Sequence, residues 1–202
     1  MSGIRATSIS KRYTYRWVLK DISCNFPSDR VSGIAGNNGS GKSTLIKILS
    51  GYLSPSDGSV EYDVNGSVIR TEQVFEYVAL AAPYTDVVNE FTLREMFRFH
   101  GKFRPFRENL SFQQFEEKIR LAGHDDKPLS HFSSGMKQKT QLALALLSDT
   151  PFLLLDEPSS FLDENARQWF VDLLHDNKKG RVVVIASNDP SDLALCSEVI
   201  RL

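Results

Sequence analysis

Short continuous apolar runs recur along the chain between turn residues, and they cover residues 31–35, 77–81, 152–155 and 182–186. Runs of this kind, which do not alternate with polar residues, are typical of strands buried on both faces of a parallel sheet. Segments with a helical pattern occupy much of the remaining chain, at residues 45–49, 137–148, 166–175 and 191–196. A last strand is expected over residues 198–202. The pattern predicts an α/β fold with a mostly parallel sheet.

The N-terminal part carries strands of a second type. Residues 4–9 alternate apolar and polar side chains, and residues 60–64 and 67–70 flank the pair Asn65-Gly66. Such a pair between two strand-like runs is a strong signal for a two-residue hairpin turn. We therefore expect an N-terminal antiparallel β part beside the parallel sheet.

Residues 90–148 lack strand alternation and are rich in phenylalanine. We predict a helical subdomain here, inserted into an α/β core formed by residues 1–89 and 149–202, so that residues 1–202 form a single domain. Much of the phenylalanine lies in residues 93–106. This segment is either the core of the subdomain or an exposed docking surface for a partner, and both interpretations stay open.

Composition excludes several classes of protein. The 24 Lys and Arg residues nearly balance the 25 Asp and Glu residues, so charge gives no sign of nucleic-acid binding. Cys24 and Cys196 are far apart and match no metal-ligand spacing, which favours a reduced, intracellular protein. No apolar run approaches the roughly 18–20 residues of a membrane helix, and the N-terminus lacks the apolar core of a signal peptide. We expect a soluble chain that meets a membrane only through a partner.

One stretch fits the phosphate-binding template G-x-x-x-x-G-K-[ST]; it comprises Gly36, Asn37, Asn38, Gly39, Ser40, Gly41, Lys42, Ser43 and Thr44. It lies between a predicted strand and a predicted helix, as the motif requires. Glycines let the backbone wrap closely around phosphates, and the helix N-terminus favours an anion. Lys42 is expected to reach the β- and γ-phosphates of a nucleotide, and the Ser43 hydroxyl to help hold Mg²⁺.

Two carboxylates follow the apolar run at residues 152–155. A strand that ends in Asp156 places this carboxylate at the carboxyl end of a parallel sheet, beside the phosphate loop. Asp156 is therefore our predicted Mg²⁺ residue, as a direct or second-sphere ligand. Glu157 follows at once and is the predicted general base that polarises the attacking water.

With these motifs in order, the chain resembles the ATP-binding cassette (ABC) family, the nucleotide-binding domains of ABC transporters. Residues 36–44 resemble the Walker A loop, and residues 153–157 resemble Walker B followed by the catalytic Glu. Phe132-Ser-Ser-Gly-Met136 is similar to the LSGGQ signature, and Ser160-Phe-Leu-Asp163 is similar to the D-loop. The resemblance covers nearly the whole chain and implies a P-loop NTPase core.

The resemblance also implies a mechanism. Two such domains bind head to tail with two ATP molecules between them, and hydrolysis reopens the dimer. Ser133, Ser134 and Gly135 would hold the γ-phosphate of ATP bound on the other subunit. An aromatic side chain near the phosphate loop would stack on adenine; Tyr13 matches the family best, and Tyr15 and Trp17 are the alternatives.

Two positions depart from the family pattern. The family usually has a Gln after the strand predicted at residues 77–81, but residues 74–112 contain none, and Ala82 is the nearest counterpart. The switch His of the family is replaced by Asn188, which can hydrogen-bond a phosphate but cannot carry a positive charge. We count Asn188 with Lys42 and Glu157 as catalytic residues, and we predict intact ATP binding with slower or partner-dependent hydrolysis.

By resemblance, the expected function is that of an ATPase subunit driving an ABC transporter, with ATP and Mg²⁺ as cofactors. Its partners would be a second ABC ATPase subunit, most simply another copy, and separately encoded transmembrane subunits that meet residues 83–103; no nucleic acid is expected. The location would be cytoplasmic, at the inner face of the membrane. Two alternatives remain: a soluble non-transport ABC ATPase, and a weakly catalytic regulatory subunit.

Overall fold

A computed structural model describes residues 2–202 of the chain; residue 1 lies outside the described part. The strands are β1 (Gly3–Tyr13), β2 (Arg16–Pro27), β3 (Val31–Ala35), β4 (Asp57–Val64), β5 (Ser67–Ile69), β6 (Val78–Ala81), β7 (Phe152–Asp156), β8 (Val182–Ser187) and β9 (Glu198–Arg201). The helices are α1 (Lys42–Leu49), α2 (Leu93–Phe103), α3 (Phe112–Ile119), α4 (Ser134–Leu147), α5 (Glu164–Asn177) and α6 (Pro190–Leu193). Short 3₁₀ turns cover Thr71–Glu76, Arg107–Asn109 and Leu129–His131.

The N-terminal strands form an antiparallel sheet in the order β2-β1-β4-β5. Its core face carries Ile4 and Ala6, because alternate residues of a strand face the same side, and an irregularity at Ser8, with φ of 50°, returns Ile9 to that face. Asn65 and Gly66 both have positive φ, 54° and 87°, as a two-residue hairpin turn of type I′ requires. The antiparallel part and its Asn-Gly hairpin are confirmed.

A second sheet has the order β6-β7-β8-β3-β9, and every neighbouring pair in it is parallel. The strands β3, β7 and β8 are buried along their whole length, which explains their continuous apolar sequences. The predicted fold class, an α/β P-loop core with a parallel sheet, is confirmed. Because β3, β7 and β8 run the same way, their carboxyl ends meet at one edge of the sheet.

The phenylalanine-rich segment divides into two groups. Phe97 stacks on Phe106 with ring centroids 4.4 Å apart, and both rings also contact the fully buried Phe115. Phe99 and Phe103 instead leave 39% and 67% of their surface exposed. Part of the segment therefore belongs to the core and part lies exposed, and the docking of a partner on the exposed part stays a prediction. The division into a core and a 90–148 subdomain stays a prediction.

The helix predicted over residues 191–196 is wrong in extent, because α6 ends at Leu193. After it, the amide of Leu195 donates to the carbonyl of Asp192, and the amide of Cys196 to that of Leu193. These i to i−3 bonds tighten the chain into turns of 3₁₀ type, which bring Cys196 against Gly33 of β3. Within residues 2–202, the structure contains no helix with the length and apolar character needed to cross a membrane.

Candidate active site

The phosphate loop connects β3 to α1 and depends on glycine at its tightest point. Gly41 is the N-cap of α1 with φ of 106°, in the region that only glycine adopts easily. A Cβ at this position would lie 2.7 Å from the side chain of Leu19 and 3.1 Å from the carbonyl oxygen of Val18. The loop therefore packs directly on β2 and leads into the helix N-terminus, where backbone amides favour a phosphate.

Lys42 is buried at the start of α1. Its Nζ donates to the carbonyl oxygen of Gly36 at 2.8 Å and lies 3.2 Å from Oε1 of Glu157. A cavity of about 310 Å³ opens beside it; the lining residues are Val18, Asn38, Gly39, Gly41, Lys42, Ser43, Thr44 and Glu157. The structure thus joins the predicted phosphate-binding residues and the predicted general base around one pocket.

Asp156 ends β7 with its carboxylate completely buried. Within residues 2–202, neither carboxylate oxygen accepts a hydrogen bond of normal geometry. Burial raises the pKa of Asp156, and the adjacent Glu157 raises it further, while the Ser43 hydroxyl and the charges of Lys42 and Lys47 lower it. A buried carboxylate without a partner is costly unless a cation compensates it.

These donors fit Mg²⁺. That ion typically takes one or two carboxylates and completes its shell with waters and phosphate oxygens. Ser43 lines the phosphate pocket, and its hydroxyl is close enough to the Asp156 carboxyl to lower its pKa. The residues present are therefore those required by the predicted metal site.

Glu157 follows the strand in a left-handed conformation, with φ of 49°. This uncommon backbone turns its carboxylate toward the phosphate loop. Its Oε2 lies 3.1 Å from Oγ of Ser187 and accepts a weak hydrogen bond from the amide of Asn188 at 3.4 Å. Glu157 is thus held between the end of β8 and Lys42.

Asn188 directly follows β8. Its Nδ2 donates to Oδ1 of Asn38 at 2.9 Å, so it bridges the end of β8 and the phosphate loop. The position predicted for the switch residue is therefore next to the pocket, and its amide side chain bonds a residue that lines the pocket.

Behind Glu157 lies a polar network that sequence reasoning missed. Oγ of Ser187 lies 2.7 Å from the buried carboxylate of Asp192, which also accepts a hydrogen bond from Ser159. Burial raises the pKa of Asp192, although both hydroxyls lower it. No motif marks these residues, because they come from β8, α6 and the loop after β7 and meet only in the fold.

The signature residues lie on the surface at the start of α4. Ser133 is the N-cap, and its side chain accepts from the amide of Met136 at 3.2 Å. Ser133 and Ser134 are exposed, and neither they nor Gly135 lines the phosphate pocket described above. Gly135 packs against the D-loop: a Cβ there would lie 2.9 Å from the carbonyl oxygen of Phe161.

The aromatic residues proposed to stack on adenine occupy the hairpin between β1 and β2. Tyr13 is 46%, Trp17 42% and Tyr15 94% exposed. Lys11 lies over the ring of Tyr13 and Arg12 over that of Trp17, each 5.5 Å from the ring centroid. Each ring has a free face, so Tyr13 stays a prediction and the other two stay alternatives.

The loop after β6 differs from expectation. Ala82 is fully buried, and its backbone amide and carbonyl both bond the hydroxyl of Thr85 at 2.9 Å. It therefore presents no polar group to the site. Tyr84 instead lies near Asp156, whose charge contributes, after burial, to raising the pKa of the phenol. Sequence reasoning missed Tyr84 because it looked for an amide side chain in this loop.

Comparison with known proteins gives one consistent picture. A family model described as ABC transporter matches residues 19–160. ATP-binding cassette sub-family A member 17 of Mus musculus is 31% identical over 185 residues, which cover 88% of this chain and 11% of that protein. The uncharacterized ABC transporter ATP-binding protein YybJ of Bacillus subtilis is 27% identical over 202 residues, which cover 98% of this chain and 92% of that protein. A solved structure titled "Structure of ATP binding subunit of ABC transporter" has a TM-score of 0.82 at 27% identity and covers 98% of this chain and 85% of that one.

Proposed function

The chain belongs to the ABC transporter family as an ATP-binding domain, and from this premise we propose that it hydrolyses ATP to drive a transporter through closure of a dimer. The observation that carries the proposal is the buried carboxylate of Asp156, which faces the Ser43 hydroxyl and accepts no hydrogen bond within the described residues. A site of this kind is complete only with a cation and phosphate oxygens.

The phosphate pocket supports a division of roles. Lys42 exchanges its present contacts with Gly36 and Glu157 for the β- and γ-phosphates. Ser43 and Asp156 would hold Mg²⁺, which neutralises charge on the phosphate oxygens when it is bound. Backbone amides of the phosphate loop hold the remaining phosphate oxygens at the start of α1.

Glu157 acts as the general base in this scheme. Its carboxylate accepts a proton from the attacking water, and Ser187 and the amide of Asn188 keep that carboxylate directed at the pocket. Asn188 donates to the γ-phosphate in place of Asn38, and its amide adds no positive charge there. Hydrolysis is therefore slower than a charged switch residue would allow, or it depends on a partner.

The position of the signature residues supports the proposed dimer closure. Ser133, Ser134 and Gly135 are at a helix N-terminus on the surface and outside the phosphate pocket of their own chain. Hydroxyls and amides at such a position suit an anion brought by a second subunit. A second copy of this chain, or a related domain, would supply that anion as the γ-phosphate of its own ATP.

Coupling to a membrane subunit is assigned to the exposed aromatic residues of α2. Phe99 and Phe103 contact each other edge to face at 5.1 Å while their outer surfaces remain exposed. Exposed aromatic pairs next to a polar surface are typical of protein contacts. The transmembrane subunits, encoded separately, would dock here, and the chain would then lie at the inner face of a membrane.

Gly135→Ala tests the dimer mechanism. The added methyl would press on the Phe161 carbonyl, so the signature and the D-loop must move apart. We expect the affinity of the monomer for ATP to stay within about twofold while ATP-dependent dimerisation, followed by light scattering, is lost. Gly101→Ala is the matched control, since its methyl would meet only the Phe106 side chain at 3.4 Å. Equal dimerisation of both variants would contradict the proposed interface.

Fractionation of cells that express the chain with its own membrane subunits tests the transport assignment. Recovery with membranes, reduced by the double substitution Phe99→Ala and Phe103→Ala, supports it. Val68→Ser, which alters another exposed apolar residue at 79% exposure, is the control. Recovery with ribosomes, or in neither fraction, would contradict a transport role.

A further inference from the structure

Tyr84 occupies a side of the metal site that no motif describes. It belongs to the loop after β6, and β6 is the neighbour of β7, the strand that ends in Asp156, in the parallel sheet. Its ring lies under the ammonium group of Lys47, with Nζ 4.0 Å from the ring centroid, and the pairing of Ala81 with Leu155 brings the start of its loop beside the end of β7. The Tyr84 side chain therefore meets both α1 and the end of β7.

Asp156 requires an orienting partner. Within residues 2–202, its two oxygens accept no hydrogen bond of normal geometry, although the hydroxyl of Ser43, which lowers the pKa of Asp156, and that of Tyr84, whose pKa Asp156 raises, both lie nearby. Ser43 is assigned to the metal itself. That assignment leaves Tyr84 as the neutral donor able to bond one carboxylate oxygen while the other faces the cation.

We propose that Tyr84 is a positioning residue for the magnesium site, with its hydroxyl orienting the Asp156 carboxylate toward the cation bound with ATP. The inference rests on the proposed function, since it concerns the same site. A hydrogen bond to a carboxylate that holds a metal fixes its direction and restricts its rotation. Ala82 has no group that can do this, and the loop from residue 82 to residue 91 contains no glutamine.

Lys47 fixes the tyrosine. A cation over an aromatic face is attracted by the ring, and the interaction is strongest where water is partly excluded. Tyr84 is 36% exposed, so the ring is held on one side by Lys47 and remains accessible on the other. Tyr84→Phe keeps this ring contact and removes only the hydroxyl, which makes it a clean test.

The measurement compares ATP affinity with Mn²⁺ and without metal, in EDTA, for proteins that carry Glu157→Gln to prevent hydrolysis. The ratio of the two affinities is the contribution of the metal site. We expect Tyr84→Phe to lower this ratio about tenfold while the affinity in EDTA is unchanged. Tyr84→Gln, which restores a donor, should recover part of the ratio. Tyr52→Phe is the matched control, because it removes the hydroxyl of a neighbouring tyrosine that is 76% exposed.

The outcomes separate two failures. A ratio for Tyr84→Phe within twofold of its parent would overturn the role of Tyr84 and leave the nucleotide site intact. A parent protein that binds ATP equally with and without Mn²⁺ would overturn the metal site itself. An equal loss in Tyr52→Phe would mean that the effect is not specific to the hydroxyl that faces Asp156.

Discussion

The Nζ of Lys42 lies 3.2 Å from Oε1 of Glu157, so the predicted phosphate-binding cation and the predicted general base are paired with each other. The Lys42 side chain is 6% exposed and that of Glu157 is 22% exposed, which shields the pair from most of the solvent. A nucleotide must break this pair to reach Lys42. The ion pair therefore competes with the phosphates for the same ammonium group.

Removing the charge of Glu157 should strengthen ATP binding in the absence of metal. Glu157→Gln frees Lys42 and removes a negative charge beside the phosphates, which is worth on the order of 1 kcal/mol, or about fivefold in affinity. Titration with a fluorescent ATP analogue in EDTA measures the change. Glu117→Gln, which neutralises an exposed carboxylate on α3, should leave the affinity unchanged. Weaker binding by Glu157→Gln would contradict the competition.

Asn188→His should speed hydrolysis. Asn188 already bonds Asn38 at the edge of the pocket, so an imidazole there could place a donor, and when protonated a charge, near the γ-phosphate. We expect a rise in the steady-state rate of about tenfold or more, the order of magnitude of one well-placed electrostatic contact. Asn25→His, on exposed β2 surface, is the control. If the wild type already hydrolyses ATP rapidly and Asn188→His is no faster, the prediction that Asn188 limits the rate of hydrolysis would be contradicted.

His100 should make stability depend on pH. Its Nε2 lies 2.8 Å from Oγ of Ser148, and burial, with a smaller effect of the Arg104 charge, lowers its pKa from 6.5 to about 4. Between these values the unfolded chain binds a proton that the folded chain does not, so the stabilisation is present above pH 6.5 and is lost as pH falls toward 4.

Urea unfolding at pH 7 and pH 5 measures this effect. The wild type should lose on the order of 2 kcal/mol more than His100→Gln over this interval, because the variant has no group to titrate there. His175→Gln, whose parent side chain is 74% exposed, should behave like the wild type. Parallel losses in wild type and His100→Gln would show that His100 is not responsible.

Substitution of a buried and of an exposed phenylalanine should change the free energy of unfolding by different amounts. Phe97→Ala removes a ring that contacts Phe106, Phe112 and Phe115, and we expect a loss of about 3 kcal/mol in the free energy of unfolding. Phe103→Ala should change it by no more than about 0.5 kcal/mol, because most of this side chain is exposed. Chemical denaturation gives both values, and similar losses would mean that Phe103 is also part of the core.

Much of the fold follows from local pattern. The buried strands β7 and β8 are continuous apolar runs, and the hairpin carries Asn65-Gly66, where both residues need positive φ. The phosphate loop was recognisable because its function requires glycines and a lysine at fixed spacing. In each case the physical requirement acts on neighbouring residues, so it is visible in sequence.

The rest depends on contacts between distant segments. Tyr84 and Asp156 lie near each other although 72 positions separate them in sequence, and Ser187 contacts Glu157 from the next strand. Phe97 and Phe103 are the same type of residue, six positions apart on α2. Only the way in which α2 packs on the rest of the fold decides that Phe97 stacks in the core and that Phe103 is exposed. Such pairings appear only when the sheet order is known.

ATP-dependent dimerisation is the central claim, and the mass of Glu157→Gln protein in solution tests it most directly. This variant should bind Mg-ATP without hydrolysing it, so that the closed state accumulates. Light scattering coupled to size exclusion should give a monomer without nucleotide and a dimer of twice the 22.8 kDa chain mass with Mg-ATP. A protein that binds Mg-ATP and stays monomeric would contradict closure between two copies of this chain.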